Sequence, residues 1–124
     1  MRRLGDLERR VMDVLWDSEI TPLTGREVAD QLPDRAYTTV LTVLRVLETK
    51  GNVAHTVEGK AHRFRPTVTR EAAARATIEY LTHKLFRDSK ALFLAHLIEG
   101  GGTDPRTIQR MRKVLKKRLK AAAT

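Results

Sequence analysis

From Tyr37 to Pro66 the chain changes its periodicity at a single glycine, with helical spacing up to Lys50 and alternation beyond Gly51. At ~100° per residue, Val40, Val43, Leu44 and Leu47 fall on one stripe that must face a core. Thr38, Thr42, Arg45 and Thr49 fall opposite. A merely solvated helix face is richer in Glu, Lys and Gln; short hydroxyls and one guanidinium let a backbone approach a surface closely. Val53–Val57 and Ala61–Arg65 then alternate around Glu58-Gly59-Lys60, a hairpin signal. Alternation puts Ala61, Arg63 and Arg65 on one face and His62 and Phe64 on the other, so Phe64 is expected to pack inward. A polar-faced helix followed by a basic hairpin is the device by which a winged helix-turn-helix grips duplex DNA.

The segments before this device fit the same order. Leu4, Leu7, Val11, Val14 and Leu15 recur at helical spacing, which predicts a helix over 4–17 with Trp16 as an anchor at its end. Ile20–Leu23 reads as a connector or short edge strand. Thr24-Gly-Arg-Glu27 is a capping box that opens a short helix through Leu32, and Pro33-Asp-Arg35 breaks the chain before Tyr37.

Residue chemistry then nominates the contacts. Thr38, Thr39, Thr42 and Arg45 on the helix, with Lys60, His62 and Arg63 on the hairpin, are the candidate DNA-binding residues. Threonine hydroxyls can hold phosphates and their methyls suit thymine; Arg45 can meet guanine with two hydrogen bonds. Lys60 and Arg63 are expected to hold phosphate.

Charge supports this reading less directly. The net charge is +9, yet residues 1–66 carry 11 Lys/Arg against 10 Asp/Glu, while residues 67–124 carry 13 against 5. The half expected to read DNA is nearly neutral, so its cations matter only if the fold segregates them. There is no cysteine, which excludes disulfides, thiolate metal sites and thiol nucleophiles. The four histidines, His55, His62, His83 and His96, show no helical metal spacing, so neither metal nor cofactor is expected. No nucleophile elbow, phosphate loop or carboxylate pair suggests an enzyme. The N-terminal residues lack a signal-peptide pattern and no apolar run is long enough to insert into a membrane, which points to the cytoplasm.

Beyond Thr69 the chain reads as helices. Residues 71–87 are Ala-rich, with Ala74, Ile78, Leu81 and Leu85 as their stripe. Ser89 caps a helix, apolar nearly all round, that carries Leu92, Leu94, Leu97 and Ile98. Such a helix needs cover on every side, which a chain this short supplies only within an oligomer. After Gly100-Gly-Gly102, Thr103-Asp104-Pro105 starts a last helix with Ile108, Met111, Leu115 and Leu119 as its stripe. Arg106, Arg110, Lys113, Lys117 and Lys120 lie opposite, and membrane-surface, DNA-contacting and dimer-helix readings all require that arrangement.

The chain resembles the penicillinase-repressor family of bacterial transcription factors along nearly its full length. The resemblance rests on Leu4-Gly-Asp-Leu-Glu8, Val11-Met-Asp-Val-Leu-Trp16, Ala36-Tyr-Thr-Thr-Val40 through Lys50-Gly51, and Gly59–Pro66. It implies a homodimeric repressor with an N-terminal winged helix and a C-terminal helical dimerisation domain, here 1–67 and 68–124. It also implies a membrane sensor-protease partner that responds to a β-lactam and triggers cleavage in the dimerisation region. Three departures stand out. Val46 replaces a usual basic residue, Phe64 replaces the usual wing tyrosine, and Ala95-His96 stands where the best-known members are cut between Asn and Phe. The cysteine motif of copper-responsive relatives is absent.

The fold expected is therefore mainly α with a small β-hairpin, a winged helix-turn-helix plus a dimerisation domain. The dimer is assigned to Ile78, Leu81, Leu85, Leu92, Leu94, Leu97, Ile98, Ile108, Met111, Leu115 and Leu119. The function expected is repression by a homodimer on a pseudo-palindromic operator. A winged-helix protein-interaction module and a weakly specific architectural DNA-binding protein stay open beside it.

Overall fold

The structure, a computed structural model, describes residues 4–102 and 104–123. In chain order these form α1 (Asp6–Asp17), β1 (Leu23–Thr24), α2 (Gly25–Asp30), α3 (Tyr37–Thr49), β2 (Val53–Glu58), β3 (Ala61–Pro66), α4 (Arg70–Leu85), α5 (Lys90–Glu99) and α6 (Pro105–Ala122). The architecture is mainly helical with one small antiparallel sheet, as the periodicities require. Its strand order is β1-β3-β2, so the hairpin's second strand lies in the centre and Leu23–Thr24 forms the edge. Leu23 pairs with Phe64, and Phe64 pairs with His55 on the other side.

Local rules set the boundaries. At α2, Glu27 N–H donates to Thr24 Oγ1 at 3.1 Å and Thr24 N–H donates to Glu27 Oε1 at 2.9 Å, completing the capping box. The end of α3 is a Schellman turn: Gly51 N–H reaches Glu48 O at 3.0 Å and Asn52 N–H reaches Leu47 O at 2.8 Å. That closure needs a left-handed residue, and Gly51 supplies it at φ +85°. Ser89 and Asp104 cap α5 and α6 by accepting from Leu92 N–H at 3.0 Å and Thr107 N–H at 2.8 Å.

Contacts divide the chain into two compact units, with the division between Tyr80 and Leu81, inside α4. The first holds the core: Val11, Met12 and Leu15 of α1, Val28 of α2, Val40, Leu44 and Leu47 of α3, and Val53 and Phe64 of the sheet are all buried. This unit reaches past the hairpin. Trp16 Nε1–H donates to Val68 O at 2.9 Å, and Arg70 binds Asp17 at 2.6 Å and Asp13 at 3.4 Å. On α4 the buried alanine is Ala73, whereas Ala74 is exposed, so the helix is turned by one position from the expected stripe.

The second unit differs in kind. No residue of α5 or α6 is buried within the single chain. Leu92, Leu97, Ile98, Ile108, Leu115 and Leu119 are all exposed, and Leu119 reaches 71%. On α4, Ile78 is 42% and Leu85 70% exposed, while Leu81, Leu94 and Met111 are half-buried. The turn between α4 and α5 uses Arg87 and Asp88 at φ +50° and +60°, a left-handed pair without glycine that no sequence signal announced. Among the described residues no helix is long and apolar enough to cross a membrane.

One tie across the helix-turn-helix is titratable. Arg10 of α1 grips Asp34, in the turn before α3, through two hydrogen bonds of 2.9 and 2.7 Å. The hydrogen bonds from Arg10 hold the Asp34 carboxyl below its ordinary value of 3.8. A depressed carboxylate contributes stability that is present above its unfolded value and is lost as pH falls through the folded one. We therefore expect the unfolding midpoint to drop below about pH 4, and Asp34→Asn to be less stable at neutral pH with a shallower acid limb. Parallel acid limbs for both proteins would show that the pair contributes nothing.

Candidate nucleic-acid interface

The exposed face of α3 carries Thr38, Thr39, Thr42, Arg45, Val46 and Thr49, opposite Val40, Leu44 and Leu47 in the core. Two hydroxyls on this face are already committed. Thr42 Oγ1–H donates to Thr38 O at 2.9 Å, and Thr49 Oγ1–H donates to Arg45 O at 3.0 Å. With its proton directed back along the helix, Thr42 offers an outside group only an acceptor oxygen and a methyl. Those suit an amino group or a thymine methyl on a base edge.

One ion pair and one hydrogen-bonded carboxylate fix α3 at its C-terminal end. Lys50 Nζ lies 2.7 Å from Glu8 Oε2, tying α3 to α1. Glu48 accepts from the His55 backbone N–H at 3.1 Å and meets His55 Nδ1 at 2.5 Å, tying α3 to β2. His55 in turn stacks on His62 with ring centroids 4.5 Å apart and planes 4° from parallel. The remaining histidines lie in the second unit, His83 against Asp88 at 2.9 Å and His96 edge-on to Phe86.

The hairpin turns at Gly59 and Lys60, with Gly59 at φ +62°, the conformation glycine takes in a two-residue hairpin turn. Phe64 is buried at 2% exposure, as alternation requires, while Lys60 and His62 are exposed. Arg63 is different. Its Nε lies 2.7 Å from Glu58 Oε2, and its Nη1 donates to Glu27 Oε1 at 3.5 Å. The Nε contact is an ion pair without hydrogen-bond alignment, since no acceptor meets that buried N–H. Glu27 is held below the usual carboxylate range, first by the hydrogen bonds of the Thr24 capping box and then by the Arg63 charge.

Between α2, α3 and the wing lies a concavity of about 400 Å³. It brings together three residues expected from sequence, Arg45, Lys60 and His62. It also brings in Arg26, which sequence reading passed over, with its guanidinium carbon 4.0 Å above the Tyr37 ring centroid. Gly25 makes the close approach of α2 to α3 possible, because a Cβ there would stand 3.3 Å from Leu41 Cδ1 and 3.8 Å from the Tyr37 hydroxyl. Thr38, Thr39 and Thr42 lie outside this concavity on the outer face of α3, and Arg63, paired with Glu27 and Glu58, does not line it.

The cations of this unit sort by partner. Arg9, Arg10, Lys50, Arg63 and Arg70 all face carboxylates, on Asp13, Asp34, Glu8, Glu27 with Glu58, and Asp13 with Asp17. Among the described residues no carboxylate lies within 4 Å of Arg26, Arg45 or Lys60. Arg65 and Arg75 have no carboxylate within 4 Å either among the described residues, so what sets Arg26, Arg45 and Lys60 apart is that they line one concavity.

The chain aligns at 41% identity over 108 residues, 84% of its length, with the transcriptional regulator BlaI of two Mycobacterium tuberculosis strains, of which it spans 78%. In fold it resembles a Staphylococcus aureus MepR mutant bound to an oligodeoxyribonucleotide, with a TM-score of 0.53 at 17% identity, covering 96% of this chain and 80% of that one. The sequence profile of the penicillinase repressor matches residues 4–117. The chain belongs to the penicillinase-repressor family of transcriptional regulators, on a winged-helix fold.

Proposed function

We propose that this regulator represses transcription in the cytoplasm as a homodimer seated on a pseudo-palindromic duplex operator. The observation that carries the reading is the gathering of three cations, Arg26, Arg45 and Lys60, around one concavity beside α3, with no carboxylate within 4 Å of any of them among the described residues. In this reading α3 is the recognition helix. Thr38, Thr39, Thr42 and Arg45 meet base edges and flanking phosphates, and Lys60 and His62 present the wing to the backbone. Residues beyond the winged helix make the dimer through Ile78, Leu81, Leu85, Leu92, Leu94, Leu97, Ile98, Ile108, Met111, Leu115 and Leu119. Most of these apolar side chains are exposed in the single chain, a surface that water penalises until a second copy covers it. A membrane sensor-protease would end repression by separating the dimerisation elements. The accessible backbone for a cut is the Gly100–Gly102 break, since Ala95-His96 lies inside α5.

The reading is tested at Arg45, with the duplex upstream of the protein's own coding sequence as probe. Arg45→Ala should weaken binding by roughly 1–3 kcal/mol and relax preference at one base position of each half-site. Unchanged affinity and unchanged preference would remove Arg45 from the recognition surface.

A further inference from the structure

We propose that the cleft between α2, α3 and the wing holds one phosphodiester strand, and that Arg26, stacked on Tyr37, is a phosphate ligand in it. The inference rests on the DNA-binding reading above and adds a site and a residue to it. When one element lies in a groove of a duplex and a neighbouring element lies on the adjacent groove, a single sugar–phosphate strand separates them. Here the two elements are α3 and the hairpin tip, and the space between them is the concavity lined by Arg26, Tyr37, Arg45, Lys60 and His62.

The chemistry of the walls fits that occupant. Arg26 comes from α2, Arg45 from α3 and Lys60 from the hairpin turn, and among the described residues none has a carboxylate within 4 Å. The acid next to Arg26 in sequence, Glu27, is turned to other duties: its carboxylate accepts from Thr24 N–H and faces Arg63. The Arg26 guanidinium carbon sits over the Tyr37 ring, 4.0 Å from its centroid, so cation and ring hold each other in place. A stacked guanidinium keeps its N–H donors in its own plane, directed sideways, which is the fork that meets two oxygens of one phosphate. The ring also fixes the side chain before DNA arrives, so less rotamer freedom is lost on binding. Arg63, by contrast, already faces two carboxylates, Glu27 and Glu58, and ties α2 to the wing.

The test uses the full-length protein and a mixed-sequence duplex of about 30 base pairs, titrated at several salt concentrations. The slope of log K against log salt counts phosphate contacts at about 0.9 per contact. Arg26→Ala should lower that slope by about 0.9 and weaken binding about tenfold on every duplex tried. Arg26→Lys should keep the slope, because the charge remains, and lose part of the affinity, because the fork is gone. Arg63→Ala should leave the slope unchanged. A folded Arg26→Ala protein with wild-type slope and affinity would overturn the assignment; should that variant fold poorly, Arg26→Gln gives the same reading. Loss of slope in Arg63→Ala, with none in the Arg26 variants, would move the phosphate contact to Arg63 and equally overturn it. If the wild-type protein binds duplex with no salt dependence, the DNA-binding reading itself fails. That outcome is distinct from a steep wild-type slope that Arg26 does not change.

Discussion

Cutting the chain after Tyr80 is expected to give a folded monomer that binds a two-half-site duplex ~10²–10⁴-fold more weakly than the intact protein. The expectation has two parts, each with its own cause. Folding should survive because the buried core lies entirely before that point, together with the Trp16–Val68 hydrogen bond, the Arg70 ion pairs and buried Ala73. A cut near Pro66 would remove Val68, Arg70 and Ala73, and should leave a visibly less stable fragment. Affinity should fall because linking two reading heads makes the second contact intramolecular, and the fragment loses that linkage without losing any contact to its own half-site. Sedimentation and a binding titration on one sample check both parts. A fragment that still sediments as a dimer would move the subunit contact to the first unit, where Ile20, Val57 and Ile78 are exposed apolar residues. A monomer with undiminished affinity would mean that the intact protein does not use two half-sites.

How far the sequence alone revealed this molecule depends on the distance between the residues concerned. The capping box at Thr24 and Glu27, the caps at Ser89 and Asp104, and the Gly51 stop are all contacts within about one helical turn. Spacing rules describe such contacts, and they place the elements. Burial of Phe64 followed from strand alternation in the same way. The pairings that give the interface its charge pattern are not local. Lys50 and Glu8 are 42 residues apart, Arg63 and Glu27 are 36 apart, and Arg10 and Asp34 are 24 apart. No periodicity joins them. Sequence reading therefore nominated Arg63 because it is a basic residue on a hairpin, and passed over Arg26 because it sits inside a capping box. Only the packing of α2 against both α3 and the wing shows that one arginine faces two carboxylates and the other faces none. The α4 face escaped for a related reason: an Ala-rich helix has too little contrast between its sides for spacing to choose Ala73 over Ala74.

Phe64→Ala should destabilise the first unit by ~3–5 kcal/mol, the range for emptying an aromatic site in a core. Phe64 is the centre of the sheet. It pairs with Leu23 of β1 on one side and His55 of β2 on the other, its ring lies 5.8 Å from the His55 ring, and only 2% of it reaches solvent. Removing it opens a void that Leu44, Leu47 and Val53 can fill only by shifting backbone, because they already belong to the same packed cluster. A unit of this size is stable by about 4–12 kcal/mol, so the loss is a large part of the total. Denaturant titration of wild type and variant measures it, with Phe64→Leu as the graded control that retains part of the volume and should lose less. The functional consequence follows from position. Lys60 and His62 are carried by the hairpin whose second strand Phe64 anchors, so the variant should bind duplex more weakly through its smaller folded fraction. Once affinity is corrected for that fraction, the salt slope should match wild type, since Phe64 carries no charge to a phosphate. A variant within 1 kcal/mol of wild type would mean the wing is not held by this side chain, and the Glu48–His55 and Arg63–Glu27 ties would then have to fix the hairpin against α3 and α2.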